Sequence, residues 1–286
     1  MGVRLMRRLL CALLLFAVLL GLAGCGGTAS VSAETVSADI TFFKTGKADA
    51  AAIQTEGGVI VVDTGLSKNA DELIESLDAL GVAKLDALII SHFDRDHVGG
   101  AAALIDYYDI GTVYQSNYPK DSDEYAAYVT ALENAGLTPV TVTDTVSFSL
   151  GGLSVSIDGP AREEYKTDPS NNSSLIVTVS DGDYTLLFAG DAEDARIEEY
   201  LNGYKRPAGT VILKVPYHGH WQDNLPAFAE AVMPAAAILC CSKSEPEDEE
   251  RALTEALFED LGAAVYRTFE GDITLHIDGS GYSITQ

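Results

Sequence analysis

Basic residues are scarce in this chain. Eighteen Lys and Arg stand against 43 Asp and Glu, giving a formal charge of −25. Such a chain repels polyanions over most of its surface. No run of Lys or Arg marks the phosphate-neutralising patch that nucleic-acid binding requires. DNA is therefore a disfavoured partner, although a bound divalent cation would create local positive potential. Cysteine is scarce too, with four in 286 residues. Cys240 and Cys241 are neighbours in the apolar run Ala236–Cys241. Adjacent strand residues face opposite ways, so a disulfide between them is strained, and a disulfide-stapled fold is not expected. The pair reads as small buried hydrophobes. After residue 24 no apolar run is long enough to span a bilayer. Histidine is limited to five positions: His92, His97, His218, His220 and His276.

The composition, 47% hydrophobic and 21% charged, is that of an ordinary globular protein. The first 24 residues differ from the rest. Arg4, Arg7 and Arg8 precede an apolar stretch, Leu9–Leu20, followed by Leu22-Ala23-Gly24-Cys25. A charged start, a short apolar core and small residues form a signal-peptide pattern. Its ending resembles the bacterial lipobox, which implies a cleaved signal peptide over 1–24, lipid on Cys25 and attachment to the membrane. Loss of the three arginines takes the formal charge to −28. Residues 25–37 then form a lipidated, flexible tether of small polar residues. The expected location is extracytoplasmic, on the cell membrane, with a single domain over 38–286.

Strand-like and helix-like segments alternate through that domain. Ala50–Thr55 and Val59–Val62 flank a Gly57-Gly58 turn. Ser67–Leu80 has helical apolar spacing. Leu85–Ile90 is a continuous apolar run that fits a buried strand. Ser174–Ser180 and Tyr184–Ala189 pair around Asp181-Gly182-Asp183. Trp221 reads as a core residue, with lining a pocket as the alternative. His276, alternating with Ile273, Leu275 and Ile277, reads as structural.

Four of the five histidines fall in two polar loops, each after an apolar strand, where α/β folds place their chemistry. The first is Ser91-His92-Phe93-Asp94-Arg95-Asp96-His97-Val98-Gly99-Gly100. If it is extended, His92, Asp94 and Asp96 face one way and His97 another, which suits two ions. So many anionic and neutral donors repel one another without a cation.

This string resembles the His-x-His/Asp-x-Asp-His signature of metallo-β-lactamase-fold hydrolases. Three further motifs follow the same family's order: Asp63-Thr64-Gly65, Phe188-Ala189-Gly190-Asp191-Ala192-Glu193 and Lys214-Val215-Pro216-Tyr217-His218-Gly219-His220. Asp94 stands where a second His is usual, and Asn171-Asn172-Ser173-Ser174 replaces a third-motif His. That variant is similar to the metallo-β-lactamase-like domain of ComEC, the competence DNA-uptake protein, and to its freestanding lipoprotein relatives. The resemblance implies an α/β fold, an αββα sandwich with two mixed β-sheets between helices. It also implies one or two divalent ions, Zn or Mn, held by His92, Asp94, Asp96, His97, Asp191 and His218, with Asp191 as the bridge. Asp63, Asn172 and Ser173 are expected beside the ligands, Asp63 orienting one of them.

The implied reaction is hydrolysis of a phosphodiester or related ester by a metal-bound hydroxide, nuclease activity included. Asp96, His218 and His220 are the expected catalytic groups. The family's late His-containing loop is here Ser242-Lys243-Ser244-Glu245-Pro246-Glu247, with no His and with Lys243 as the replacement. This departure leaves an alternative: a surface binding protein, inactive or weakly active, on a degenerate scaffold.

Overall fold

A computed structural model describes residues 36–286. The expected signal segment, the Cys25 lipid site and the tether through residue 35 lie outside the described residues. Within them the chain forms two mixed β-sheets packed face to face with helices on both outer surfaces, the αββα sandwich. The first sheet runs from an edge hairpin, Gly281–Thr285 (β15) and Ile273–Asp278 (β14), through five central strands to the short edge strand Val140–Thr141 (β6), in the order β15-β14-β1-β2-β3-β4-β5-β6. Its central members are β1 (Ala38–Phe42), β2 (Ala50–Thr55), β3 (Gly58–Thr64), β4 (Leu85–Ile90) and β5 (Ile110–Gln115). The second runs β13 (Ala264–Arg267), β12 (Ala236–Leu239), β11 (Thr210–Lys214), β10 (Tyr184–Phe188), β9 (Ile176–Ser180), β8 (Leu153–Asp158) and β7 (Val146–Leu150).

The period-2 alternation of side chains divides the core into three layers. Ile53, Ile60, Ile89, Val177, Phe188 and Ile238 meet between the sheets. Leu88, Ile90 and Val61 face outward on the first sheet, beneath the helices Ala70–Ala79, Ala101–Tyr107 and Asp123–Ala135. Leu187, Leu213 and Leu239 do the same on the second, beneath Asp194–Gly203, Leu225–Val232 and Asp248–Asp260. Strands buried on both faces read as continuous apolar runs, which is why Leu85-Asp86-Ala87-Leu88-Ile89-Ile90 carries one polar residue in six. Cys240 packs between the sheets and Cys241 under the outer helices, both free and buried.

The helix Leu225–Val232 buries Leu225, Phe228, Ala229 and Val232, a helical spacing. The edge strand Val140–Thr141 is short, and both its residues are exposed. Two expectations are corrected. Trp221 is not a core residue: it is 37% exposed, with its backbone N–H donating to Glu250 Oε1. The other correction, in the first His loop, concerns the site itself.

Candidate metal centre

The site forms where strands β4, β10 and β11 end. Beyond Ile90 the chain leaves the strand through Ser91 and His92, and Phe93 anchors it in the outer core. At Asp94 it turns helical over Arg95–Val98, with the N–H groups of His97 and Val98 both donating to the Asp94 carbonyl at 2.9 Å. The extended loop expected here is thus wrong beyond Asp94. The helical turn carries Asp96 and His97 round together, so His97 joins the same cluster as Asp96. Gly99 permits this: a Cβ there would lie 2.3 Å from the Arg95 carbonyl oxygen and 2.5 Å from the Ser67 nitrogen.

From the second sheet, Gly190 turns with φ 53° and brings Asp191 in; its own Cβ would sit 3.0 Å from Ser174. Beyond β11, Tyr217 and His218 adopt φ of 50° and 54°, left-handed backbone that non-glycine residues keep only where the surroundings over-determine it.

Each imidazole is fixed at one nitrogen. His97 Nδ1 is 2.9 Å from Asp63 Oδ2, and His218 Nδ1 is 2.8 Å from the Cys240 carbonyl. His92 Nδ1 lies 3.1 Å from Ser91 Oγ and 3.4 Å from Ser174 Oγ. Asp63 is itself held by Ser91, through its N–H and its hydroxyl, both at 2.7 Å. Supports of this kind leave the Nε2 atoms as ligands. His97 Nε2 and His218 Nε2 are 3.4 Å apart. Asp191 lies between them, Oδ1 at 3.2 Å from His97 and Oδ2 at 3.1 Å from His218. Asp96 Oδ2 is 3.5 Å from His218 Nε2, and Asp94 Oδ1 is 3.9 Å from His92 Nε2.

A divalent ion fits this arrangement. Two nitrogens bound to one tetrahedral ion at about 2.0 Å lie about 3.3 Å apart. His92 Nε2 and Asp191 Oδ1 are buried with no hydrogen-bond partner, and an unsatisfied buried polar atom costs about 1–3 kcal/mol. The electrostatics agree. Burial pushes the His92 imidazole down to about 4, with His97 adding to it. Burial acts the same way on His218, but Asp191 and Asp49 outweigh it and push that imidazole up to about 10. Burial opposes the Asp191 charge, yet His218 and His97 hold its carboxyl well below the usual range. The pocket is built to hold positive charge, as proton or as metal.

Two participants carry no role in the sequence reading. Asp49, just before β2, joins His97, Asp191 and His218 in a buried group whose ligand atoms all lie within 4.8 Å of one another. Its oxygens approach the Nδ1 edges of His218 (3.3 Å) and His97 (3.8 Å), so it stands behind the imidazoles, away from the Nε2 side. Lys214 is buried beneath the site, donates to the Gly190 carbonyl at 2.9 Å, pairs with Asp49 and lies 3.7 Å from Asp191 Oδ1. The lysine adds positive charge under the Asp191 carboxylate.

Other expected residues stand elsewhere. Asn172 does not reach the ligands; it bonds the Thr167 and Asp168 carbonyls and accepts from the Arg196 N–H. Ser173 Oγ donates to the Pro169 carbonyl. Their neighbours approach instead: Ser174 Oγ receives the Asp191 N–H at 3.0 Å, and Ser170 donates to Asp94. The helical turn Pro169–Asn172 explains this, since Ser170 and Ser174, the first and last members of the Ser-Asn-Asn-Ser-Ser string, are four residues apart and so come round to the same side. His220 pairs with Glu250 Oε2 at 3.1 Å and lies against the Tyr217 ring, the two tilted by 38° with centroids 4.8 Å apart. His276 pairs across strands with Asp39 at 2.7 Å, remote from the cluster in the sheet order.

A buried His and Asp cluster at the strand ends of a two-sheet sandwich defines a class. Residues 45–243 match the family model of the metallo-beta-lactamase superfamily, and the chain belongs to that superfamily. It is 27% identical over 177 residues to ComE operon protein 3 of Bacillus subtilis (strain 168), covering 60% of this chain and 22% of that protein. It is 28% identical over 210 residues to Recombination protein 2 of Haemophilus influenzae, covering 70% and 24%, and 26% identical over 202 residues to Competence protein ComA of Neisseria gonorrhoeae, covering 70% and 26%. The chain thus spans about a quarter of the length of these relatives. Among solved structures, it resembles the CmlA beta-hydroxylase E377D mutant (TM-score 0.55, 18% identity, 84% of this chain and 54% of that one). It also resembles the metallo-beta-lactamase fold protein YhfI from Bacillus subtilis (TM-score 0.52, 13% identity, 80% and 96%). Those likenesses show the fold.

Proposed function

We propose that the chain is a metal-dependent hydrolase of phosphodiester or related ester bonds, held at the outer face of a membrane by lipid on Cys25. The fold alone does not decide this, because a beta-hydroxylase shares it. The observation that carries the reading is the convergence of two fixed imidazole Nε2 atoms on both oxygens of Asp191, with Asp96 beside them. His92, Asp94, Asp96, His97, Asp191 and His218 are the residues that would hold one or two ions. Their mixed nitrogen and oxygen donors suit Zn and Mn alike. A divalent ion there supplies Lewis acidity and brings the pKa of water from about 16 towards 7.

The chain's own residues do the rest. Asp63 and the Cys240 carbonyl hold His97 and His218 in the tautomer that leaves Nε2 free. Asp96 lies at the mouth, 14% exposed, where it can orient the attacking water and take its proton. Lys47, 3.4 Å from Asp96, adds positive charge on the side that substrate approaches. His220, held by Glu250, is placed to protonate a leaving group from the rim rather than to bind an ion.

A second reading, a weakly active or non-catalytic binding protein, draws on Ser242–Glu247. Ser242 and Glu245 line a cleft beside Asp96, and Ser242–Glu247 holds no His. The test is turnover of bis(p-nitrophenyl) phosphate by the purified chain with Mn²⁺ or Zn²⁺ and after chelation. Turnover lost on chelation and in Asp96→Ala supports the hydrolase. Bound metal without turnover of any ester supports the binding protein.

A further inference from the structure

A cavity opens away from the metal centre, on the outer face of the second sheet. It measures about 470 Å³ and shares no lining residue with the His and Asp cluster; small-molecule sites span roughly 300–1,000 Å³. Strands β9 to β11 supply one wall, where Leu187 and Val211 are apolar and Thr178 carries a hydroxyl. The helix Asp194–Gly203 and the residue after it supply the other, with the Tyr200 and Tyr204 ring centroids 5.4 Å apart and the rings tilted by 40°. The Tyr204 hydroxyl is buried with no hydrogen-bond partner, a deficit that a polar ligand group makes good. At the rim the acceptors are fixed in place. Arg196, itself buried, donates to Asp158 Oδ1 at 2.7 Å and to Glu199 Oε1 at 2.8 Å. Asp158 Oδ2 takes the Thr145 hydroxyl at 3.2 Å. Among the described residues this leaves about two of that carboxylate's four acceptor sites open. The charges balance: Asp144, Asp158 and Glu199 stand with Arg196 and Lys205, and Arg162 lies 3.6 Å from Glu199. Three carboxylates against three cations make a neutral site in a chain of net charge −25. From Thr178 a row of hydroxyls leads out of the cavity. Ser156 on β8 and Ser147 on β7 are its successive register partners, and Ser147 is exposed.

We propose that this cavity binds a neutral oligosaccharide. A sugar ring has apolar C–H faces and a rim of hydroxyls. Its face packs against the Tyr200 and Tyr204 rings and the apolar floor. Its hydroxyls donate to Asp158 and exchange hydrogen bonds with Thr178 and the Tyr204 hydroxyl. A charged ligand gains no net Coulomb attraction from a balanced site, whereas a neutral one loses nothing to the acidic surface around it. The row through Ser156 and Ser147 receives further sugar units, so the ligand is a chain whose end enters the cavity. Arg196 holds the acceptors before any ligand arrives, which lowers the ordering cost of binding. The inference is independent of the metal and of the hydrolase reading.

The experiment measures binding of maltotriose, cellotriose, mannotriose and triacetylchitotriose to the purified chain by saturation-transfer NMR and calorimetry. Each is set beside its monosaccharide, with sialyllactose and spermidine as charged controls. At least one trisaccharide is expected to bind, about tenfold tighter than its monosaccharide, the gain from one or two further hydrogen bonds. Gly203→Trp should abolish that binding and leave Tm unchanged. Gly203 lines the cavity, and a Cβ there meets nothing within 4 Å, so the larger side chain enters open space. Tyr204→Phe removes the unpartnered hydroxyl and should weaken binding about tenfold without lowering Tm. Binding of none of the four, equal affinity for trisaccharide and monosaccharide, tighter binding of either charged control, or full affinity in Gly203→Trp overturns the inference. If Gly203→Trp fails to fold, Tyr204→Phe decides, and unchanged affinity in that variant overturns it.

Discussion

The inner and outer sides of the metal centre are built differently. On the inner side Asp63, His97, Asp191, His218 and Lys214 are all buried, and each has a partner that the fold fixes. On the outer side Asp94 and Asp96 are partly exposed, and their partners are Lys120 and Lys47, long side chains at the rim. A buried ligand has no water to fall back on, so its geometry is set before any ion arrives. An exposed one can exchange partners. The inner side should therefore govern whether the centre exists, and the outer side what it does.

The largest effect that separates the two sides is expected from Asp191→Asn. It removes the carboxylate between His97 and His218 and leaves Lys214 with Asp49 alone. Breaking a buried charge network in this way costs about 3–5 kcal/mol. Denaturant titration should show that loss together with loss of bound metal. Next comes Asp63→Ala, which frees the His97 ring; removal of such an orienting partner lowers metal affinity about 10–100-fold, measurable by competition with a chelating dye. Asp94→Asn, on the outer side, should lower affinity about tenfold or less and leave folding stability unchanged within about 0.5 kcal/mol. A cost as large as that of Asp191→Asn would erase the distinction.

The pH dependence follows the same division. The carboxylates raise His218 to about 10, so it carries a proton at neutral pH, and ligation requires that proton to leave. Metal binding near pH 7 should release protons, and affinity should rise as pH climbs towards 10. Calorimetry in buffers of different ionisation enthalpy measures both; no proton release would contradict the assignment of His218. The smallest effect is expected outside the centre, at His276. Asp39 raises its pKa, so the pair's contribution is full below the unfolded value and fades as pH rises through the folded one. With the ring 42% exposed, His276→Ala should change stability by less than about 0.5 kcal/mol.

The sequence exposes the inner side better than its supports. His92, His97, Asp191 and His218 sit in polar loops after apolar strands, a pattern that periodicity reveals. Asp49 and Lys214 give no such signal. Asp49 follows Gly46-Lys47-Ala48 at the start of a strand, and Lys214 ends an apolar one. Only the packing of the two sheets brings them together. The Cys240 carbonyl is invisible for a further reason, since a backbone oxygen leaves no residue-type mark. The Ser-Asn-Asn-Ser-Ser string points to the right segment but not to the right members, because the helical turn over Pro169–Asn172 presents Ser170 and Ser174 rather than Asn172 and Ser173. The helix Leu225–Val232 shows the opposite failure. Its i, i+3, i+4, i+7 spacing is present, but Pro226 and a short, apolar sequence mask it.

The central claim is tested most directly by the metal content of the purified chain. The chain is incubated with Mn²⁺ or Zn²⁺, freed of excess ion and examined by elemental analysis beside Asp191→Asn. The account predicts one or two ions per chain for the wild type and none for the variant. A wild-type chain that retains no ion, or a variant that retains as many as the wild type, would contradict it.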